Sequence, residues 1–360
     1  MYRYEDIQRV HLEMTTRCNA SCPQCPRNLS GGRVNPRLEL TELSLADVQT
    51  IFPPDVVRQL RLMYMCGSFG DAMVARDTLE VFEYFREHNP AMQLRMHTNA
   101  SGRTPAWWKR LARVVSRTTF SVDGLKDTNH IYRRGTDWRL IRRAMDSYLE
   151  AGGKAEWAFL IFRHNEHQVE EARALAKQLG FVKFTAKRTY RFLYRGLLSD
   201  SMQVLDRHGK PDYLIEMPQT PEYRNEETLI GLEQVLKKHG TYDDYLGKTE
   251  IDCKAAGQRQ IYVSASGLVL PCCWMGSDVH LPILREVQDM LDALPGGRES
   301  IDARRRPIRE IVDGPLFQDS IPKGWKPGVA GKGRLAVCSR VCGSLKVTKA
   351  QFAGVAAAKA

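Results

Sequence analysis

The stretch CNASCPQC, residues 18–25, places three cysteines within eight residues, and the next cysteine is Cys66. It follows VHLEM (10–14), an apolar run that predicts a strand, so the three thiols fall in the loop leaving that strand. A structural zinc site takes four ligands, and an electron-transfer iron–sulfur cluster usually takes four thiolates. Three thiols at C-x3-C-x2-C spacing therefore point to a metal centre with one position left open. The competing reading is a zinc site completed by a distant ligand.

Beyond the triplet the chain alternates strands and helices. LRLMYM (60–65), MQLRMH (92–97), TTFSV (118–122), AEWAFLIF (155–162) and FVKFTA (181–186) predict five further strands. Between them lie a helix over Ser44–Ile51 capped by Ser44 with Asp47, and one over Asp77–His88 with a capping box of Asp77 and Glu80. Thr104–Pro105 opens the next helix. A helix over Asp137–Glu150 stops at Gly152–Gly153, and one over Gln168–Leu179 closes at Gly180. Repeated alternation of this kind means parallel βαβ units and an α/β fold, a TIM-like barrel or part of one. In such folds chemistry gathers where strands end. Those positions hold the cysteine loop, Cys66–Asp71 (CGSFGD), Thr98–Asn99, Ser121–Gly124, His164–Asn165 and Lys187–Arg188. His97 and His164 read as structural rather than catalytic.

The ordered combination resembles the radical S-adenosylmethionine superfamily over roughly residues 8–190. C-x3-C-x2-C follows the first strand, and GSFGD is similar to that family's glycine–glycine–glutamate motif. HTNAS resembles its third-strand TNG, and SVDG its fourth-strand SxDG. The resemblance implies a partial (β/α)6 barrel in which Cys18, Cys22 and Cys25 hold three irons of a 4Fe–4S cluster. The amine and carboxylate of S-adenosylmethionine would chelate the fourth iron. One electron then yields methionine and a 5′-deoxyadenosyl radical that abstracts hydrogen from substrate. Gly67 and Gly70 would let backbone approach the methionine end, and Asp71 would accept from its ammonium. Ser121 and Asp123 would serve the ribose and carboxylate, with Asn99 assisting. Cys66 beside that site is a candidate thiol hydrogen donor, against a small buried packing residue. A flavodoxin or ferredoxin is the reductant expected from the resemblance.

The C-terminal part reads differently. Tyr190–Glu250 lacks clean periodicity, with MPQTPEYRNEET a loop and 227–239 a helix. Gln260–Val263 and Leu268–Leu270 flank Ala-Ser-Gly, a hairpin signal. Cys253 precedes that hairpin, Cys272 and Cys273 follow it, and Cys338 and Cys342 lie near the end. The run C-x13-G-x4-C, through Gly267, with a distant C-x3-C resembles the SPASM or twitch extension that carries auxiliary clusters. Five cysteines remain and one all-thiolate cluster uses four. The resemblance thus implies one auxiliary 4Fe–4S cluster on Cys253, Cys272, Cys338 and Cys342, with Cys273 spare. A four-cysteine zinc knuckle has the same spacing. The expected division is a radical S-adenosylmethionine partial barrel over 1–190, a connecting segment over 191–250 and the twitch-like cluster domain over 251–360. Residues 290–335 read as an irregular insertion, and the tail AGVAAAKA as frayed.

An apolar fraction of 43% and a charged fraction of 26% are ordinary for a globular protein. No apolar run reaches the ~18 residues of a transmembrane helix, and the N-terminus lacks the apolar core of a signal peptide. A reducing, cytoplasmic setting is expected, where nine cysteines read as ligands or catalysts rather than disulfides. The net charge of +11 is concentrated locally. SGRTPAWWKRLARVVSR (101–117) carries five basic residues and no acidic one. ARRRPIR (303–309) and KFTAKRTYRFLYR (183–195) repeat the pattern, which suits a nucleic-acid backbone with stacking platforms. Relatives with this extension mostly act on peptides and many carry a peptide-binding domain ahead of the barrel. Here the first strand begins about ten residues in, so none is expected. The leading substrate is therefore a nucleic-acid base or nucleotide. The alternatives are a peptide-modifying maturase and a non-catalytic iron–sulfur protein that binds nucleic acid.

Overall fold

The computed structural model describes residues 1–189, 191–194, 197–282 and 285–344. The tail at 353–360, and Tyr190 and Arg195 of the basic segment at 183–195, lie outside the described residues. In chain order the elements are β1 (Arg9–Leu12), α1 (Leu45–Ile51), α2 (Pro54–Gln59), β2 (Leu62–Met65), α3 (Thr78–His88), β3 (Gln93–Thr98) and α4 (Pro105–Val114). There follow β4 (Arg117–Ser121), α5 (Asn129–Tyr132), α6 (Trp138–Glu150), β5 (Ala155–Ile161), α7 (Val169–Leu179) and β6 (Lys183–Arg188). Next come β7 (Leu193–Tyr194), β8 (Leu197–Leu198), β9 (Ser201–Leu205), β10 (Pro211–Glu216), α8 (Glu226–His239), α9 (Tyr242–Lys248) and α10 (Lys254–Gln258). The chain ends with β11 (Gln260–Val263), β12 (Val269–Leu270), α11 (Cys273–His280), α12 (Glu286–Asp292), α13 (Ile308–Val312), α14 (Ile321–Lys323) and α15 (Ala336–Cys342). The strand order is β12-β11-β1-β2-β3-β4-β5-β6, mostly parallel and open rather than closed into a full barrel.

The chain forms two compact units. The first comprises Met1–Arg17, Arg37–Leu94 and Glu233–Leu345. Here β1 pairs in parallel with β2 and, on its other edge, with β11, in the register Arg9↔Gln260 to Leu12↔Val263. The expected hairpin forms, since β11 and β12 pair antiparallel, and its first strand also extends the sheet. Val10, Leu12, Met63, Met65, Ile261 and Val263 are all fully buried. Ser44 caps α1 as its sequence predicts, its side chain accepting from the Asp47 N–H. The capping box expected of Asp77 and Glu80 does not form. The Asp77 carboxylate instead accepts from the Leu45 N–H at 2.9 Å, across 32 residues of sequence. Residues 290–335, expected to be irregular, carry several short helical turns between irregular stretches. Ile308, Ile311 and Val312 follow helical spacing and are buried, as are Leu316, Phe317 and Ile321.

The second unit comprises Cys18–Pro36 and Arg95–Leu232 among its described residues. Within it β4, β5 and β6 pair in parallel. Phe120 packs between Trp108, Tyr148 and Phe181, with ring centroids 5.6–5.8 Å apart. Thr104 caps α4 through the Trp107 N–H, Asp137 caps α6, and Gly180 closes α7 at a φ of 86°. β6 starts two residues later than its sequence suggests. The antiparallel pair β9–β10 has no counterpart in the sequence reading of 190–250.

His164 stacks on Phe162 at 5.4 Å, and burial holds its imidazole down at about 4. Burial, reinforced by Lys187, holds His97 at about 4 as well. A histidine depressed in the folded state binds its proton first in the unfolded chain. Each of the two thus leaves stability intact above the ordinary value near 6.5 and withdraws it as pH falls from there towards 4. Between those limits the slope is about 1.4 kcal/mol per pH unit for a fully buried histidine. Urea unfolding is expected to show a lower midpoint at pH 5 than at pH 7, and His97→Gln to flatten the difference.

Candidate cluster and cofactor sites

The triplet loop is held by its own backbone and by neighbouring amides. Cys25 N–H donates to the Cys22 carbonyl at 3.1 Å and Asn28 N–H to the Cys25 carbonyl at 3.0 Å. The Ser21 hydroxyl donates to the carbonyls of Gly31 and Gly32 at 2.7 and 3.0 Å. Asn19 donates to the Ser101 carbonyl at 2.6 Å. Cys22 is buried, while Cys18 and Cys25 are half-buried. The sulfurs sit in an apolar nest that includes Ala20, Tyr132, Phe162, Phe192 and Met217. Donors reach them: Ala20 N–H lies 3.3 Å from the Cys18 Sγ, and Asn99 Nδ2 lies 3.7 Å from it. Asn99 also donates to the Asn19 side chain at 2.9 Å, so the HTNAS turn supports the cysteine loop.

Asp123 and Arg133 complete this site. The Arg133 Nε donates to Asp123 at 2.6 Å and its Nη1 lies 3.8 Å from the Cys22 Sγ. The other Asp123 oxygen accepts from the Leu160 N–H at 2.6 Å, and its carboxylate is essentially solvent-free. Asp123 therefore reaches the cysteines through Arg133. Ser121, the last residue of β4, is half-buried. Burial pushes the Cys22 thiol up, against Arg133, and pushes Cys25 up to about 11 against Arg191 and Arg27. Iron binding removes those protons, and cations beside the sulfurs suit an anionic thiolate centre. This donor set fits a cluster held by three cysteines.

In the other unit, the CGSFGD turn is closed around a carboxylate. Glu13, buried just after β1, accepts from the N–H groups of Phe69 at 2.8 Å and Gly70 at 3.3 Å. The Tyr262 hydroxyl donates to its second oxygen, and burial raises the Glu13 carboxyl. Backbone packs so closely that a Cβ on Gly67 would stand 1.7 Å from the Gly70 carbonyl oxygen, and one on Gly70 1.8 Å from that of Thr15. Asp71 is buried, and its carboxylate accepts from the Met73 N–H at 3.0 Å. The Cys66 carbonyl is met by the His11 ring, which stacks on Tyr64 at 4.5 Å.

The five C-terminal cysteines lie at the starts of α10 and α11 and on α15. Cys253 precedes α10, Cys272 precedes α11, and Cys338 and Cys342 lie one turn apart on α15. Cys253 and Cys342 share a sulfur–sulfur hydrogen bond, which pulls Cys342 down to about 6. Asp252 N–H donates to the Cys342 carbonyl at 2.9 Å. Burial pushes Cys272 up to about 11, opposed by the Met275 and Trp274 N–H groups, and Cys338 interacts with both Cys272 and Cys342. Cys273 interacts instead with Cys272, Cys66 and Glu13, and with the Ser68 side chain. Among the described residues no group of three or more His, Cys, Asp or Glu side chains is gathered closely enough to hold a single metal ion.

The arginines of the basic segment 303–309 face carboxylates. Arg304 pairs with Asp302 at 2.8 Å, Arg305 with Glu299 at 3.0 Å, Arg306 with Glu310 at 3.8 Å, and Arg309 with Glu5. Trp108 is core, its Nε1 donating to the Gly102 carbonyl at 2.9 Å. Trp107 packs against it and under Arg103. No helix among the described residues is long and apolar enough to cross a membrane.

Glu13 and Arg133 escaped the sequence reading. A glutamate ending an otherwise apolar strand was the available signal for Glu13. Arg133 sits in IYRRG, where nothing local marks one arginine over the next.

No known family profile matches the chain, and no curated protein matches it by sequence. Solved structures do match. anSMEcpe with bound AdoMet aligns at a TM-score of 0.50 and 14% identity, over 86% of this chain and 78% of that one. SuiB of Streptococcus suis bound to S-adenosylmethionine aligns at 0.48 and 12%, over 75% of this chain and 61% of that one. BtrN in complex with AdoMet and 2-DOIA aligns at 0.45 and 13%, over 96% and 97%. The chain thus spans less than two thirds of the SuiB chain. At such identities the likeness is one of architecture alone. The chain has the α/β fold of the radical S-adenosylmethionine enzymes.

Proposed function

We propose that the protein is a radical S-adenosylmethionine enzyme. The observation that carries the reading is the triplet loop: three cysteines set in an apolar nest, with an amide near Cys18 and a half-buried guanidinium near Cys22. On this reading Cys18, Cys22 and Cys25 hold a 4Fe–4S cluster, and Gly67, Gly70, Asp71 and Ser121 contribute to the S-adenosylmethionine site. Bound together, cluster and S-adenosylmethionine supply one-electron reductive cleavage of a sulfonium and hydrogen abstraction from substrate. The chain's own part is to place and shield them. Asn99 and Asp123 act through the loop and through Arg133, and the apolar nest keeps water from the sulfurs. On the same reading Cys66 is the candidate thiol hydrogen donor. Cys253, Cys272, Cys338 and Cys342 hold one auxiliary 4Fe–4S cluster in a domain over 251–360, beyond the catalytic 1–190. A cytoplasmic flavodoxin or ferredoxin supplies the electron.

The nucleic-acid substrate expected from the basic segments draws less support from the side chains, since four arginines of 303–309 already face carboxylates. A peptide is the alternative. Anaerobically reconstituted, reduced protein is expected to release 5′-deoxyadenosine from S-adenosylmethionine, and Cys22→Ala to fall to the protein-free background. Undiminished product from Cys22→Ala would sink the reading. Added RNA, DNA and peptide pools in the same assay separate the substrate classes by which one stimulates product.

A further inference from the structure

We infer that Arg334 is the clasp and the countercharge of the auxiliary site, an inference that rests on reading Cys253, Cys272, Cys338 and Cys342 as cluster ligands. Arg334 is 1% exposed, among the largest fully buried side chains of the protein. Its Nε donates to the Leu246 carbonyl at 3.2 Å and to the Ser339 hydroxyl at 3.1 Å. Its Nη1 donates to the Trp325 carbonyl and its Nη2 to the Thr249 carbonyl. Two of those acceptors lie beside cysteines of the set. Ser339 adjoins Cys338, and Thr249 leads into Cys253. Thr249 strengthens the link, its hydroxyl meeting the Ser344 hydroxyl at 2.9 Å and accepting from the Ser344 N–H at 3.0 Å.

Every one of these acceptors is neutral. Arg334 forms no ion pair with a carboxylate among the described residues, and a guanidinium buried without a counter-ion is costly. The ionisable group that acts on it is the Cys338 sulfur. With four neutral thiols the positive charge stands uncompensated. With four thiolates around a cluster the net charge turns negative, and Arg334 offsets it. A lysine cannot reproduce the fork that spans Leu246, Thr249, Trp325 and Ser339. It does keep the charge, so charge and clasp are separable by substitution.

The test uses the full-length chain with Cys18, Cys22 and Cys25 replaced by alanine, so that only auxiliary iron remains. Arg334, Arg334→Lys and Arg334→Gln forms are reconstituted, assayed for iron and sulfide, and titrated by spectropotentiometry. Removing a nearby positive charge disfavours the reduced cluster. Arg334→Gln is expected to shift the reduction equilibrium at least tenfold towards the oxidised form. Arg334→Lys is expected to keep the parent equilibrium while melting at a lower temperature. Equal potentials in Gln and parent forms with equal iron would overturn the inference alone. Should the Gln form not assemble, Lys decides: iron at the parent potential supports the countercharge, and iron at a shifted potential or none overturns it. Zinc, or no iron, in the Arg334 form would overturn the auxiliary-cluster reading and the inference with it.

Discussion

Gly70→Ala is expected to destabilise the protein by on the order of 4 kcal/mol or more, enough to abolish soluble folding in most expression conditions. The reason is space. A Cβ at Gly70 would lie 1.8 Å from the Thr15 carbonyl oxygen and 2.8 Å from that of Arg17. Both obstacles are backbone, so no side chain can swing aside. Moving the turn away would also break the bonds from Phe69 and Gly70 to Glu13 and leave a buried carboxylate short of donors. Gly257 is the matched control, with nothing within 4 Å of an added Cβ and a place in α10. Gly257→Ala should be neutral or gain about 0.5–1 kcal/mol from helix propensity. Soluble yield and urea midpoints of the two variants check the contrast. A Gly70→Ala chain within about 1 kcal/mol of the parent would mean that this turn packs less tightly than described.

Asp123→Ala should cost about 3–5 kcal/mol, the usual penalty for removing one partner of a buried ion pair. It strands the Arg133 guanidinium beside Cys22 and leaves the Leu160 N–H without its acceptor. Removing the arginine too should recover much of the loss, so Asp123→Ala with Arg133→Met is expected to be more stable than Asp123→Ala alone. Such coupling is what a double-mutant cycle measures. Additive losses would show that the two side chains act separately. The cycle also separates two roles for Asp123. If its carboxylate served S-adenosylmethionine directly, the doubly substituted chain would bind that ligand as poorly as the singly substituted one. If it acts through Arg133, iron content and the spectrum of the reconstituted cluster should change with either residue.

The residues legible in the sequence are those whose partners are close along the chain. Ser44 with Asp47 and Thr104 with Trp107 are caps three residues long, and both form. Asp77 looks like the same device, but its carboxylate is taken by Leu45, far away in sequence, and local pattern cannot weigh that competition. The cysteine spacing and the alternation of strands and helices carried the fold because periodicity and loop position are local too. Glu13 with Tyr262, Arg133 with Cys22 and Arg334 with Leu246 depend on contacts across 88 to 249 residues. In the basic run 303–309 three arginines are answered nearby, Arg304 by Asp302, Arg305 by Glu299 and Arg306 by Glu310, and only the Arg309–Glu5 pair is brought together from far apart in the chain. The β9–β10 hairpin hid behind a turn, Asp206 to Lys210, flanked by short strands in which only Val204 and Ile215 are buried.

The pairing of β1 with β11 has a consequence for how the chain comes off the ribosome. β1 is made about 250 residues before Gln260–Val263, the strand in which one row of its backbone groups finds partners. At ~5–20 residues per second, that strand waits roughly ten to fifty seconds for its neighbour. Through that interval it is an apolar edge carrying unmet N–H and C=O groups, open to pairing with any other nascent strand. The cysteines of the triplet emerge in the same interval. Sealing that edge falls to β11, which lies between Cys253 and Cys272, while Cys338 and Cys342 are made only after the sheet has been completed.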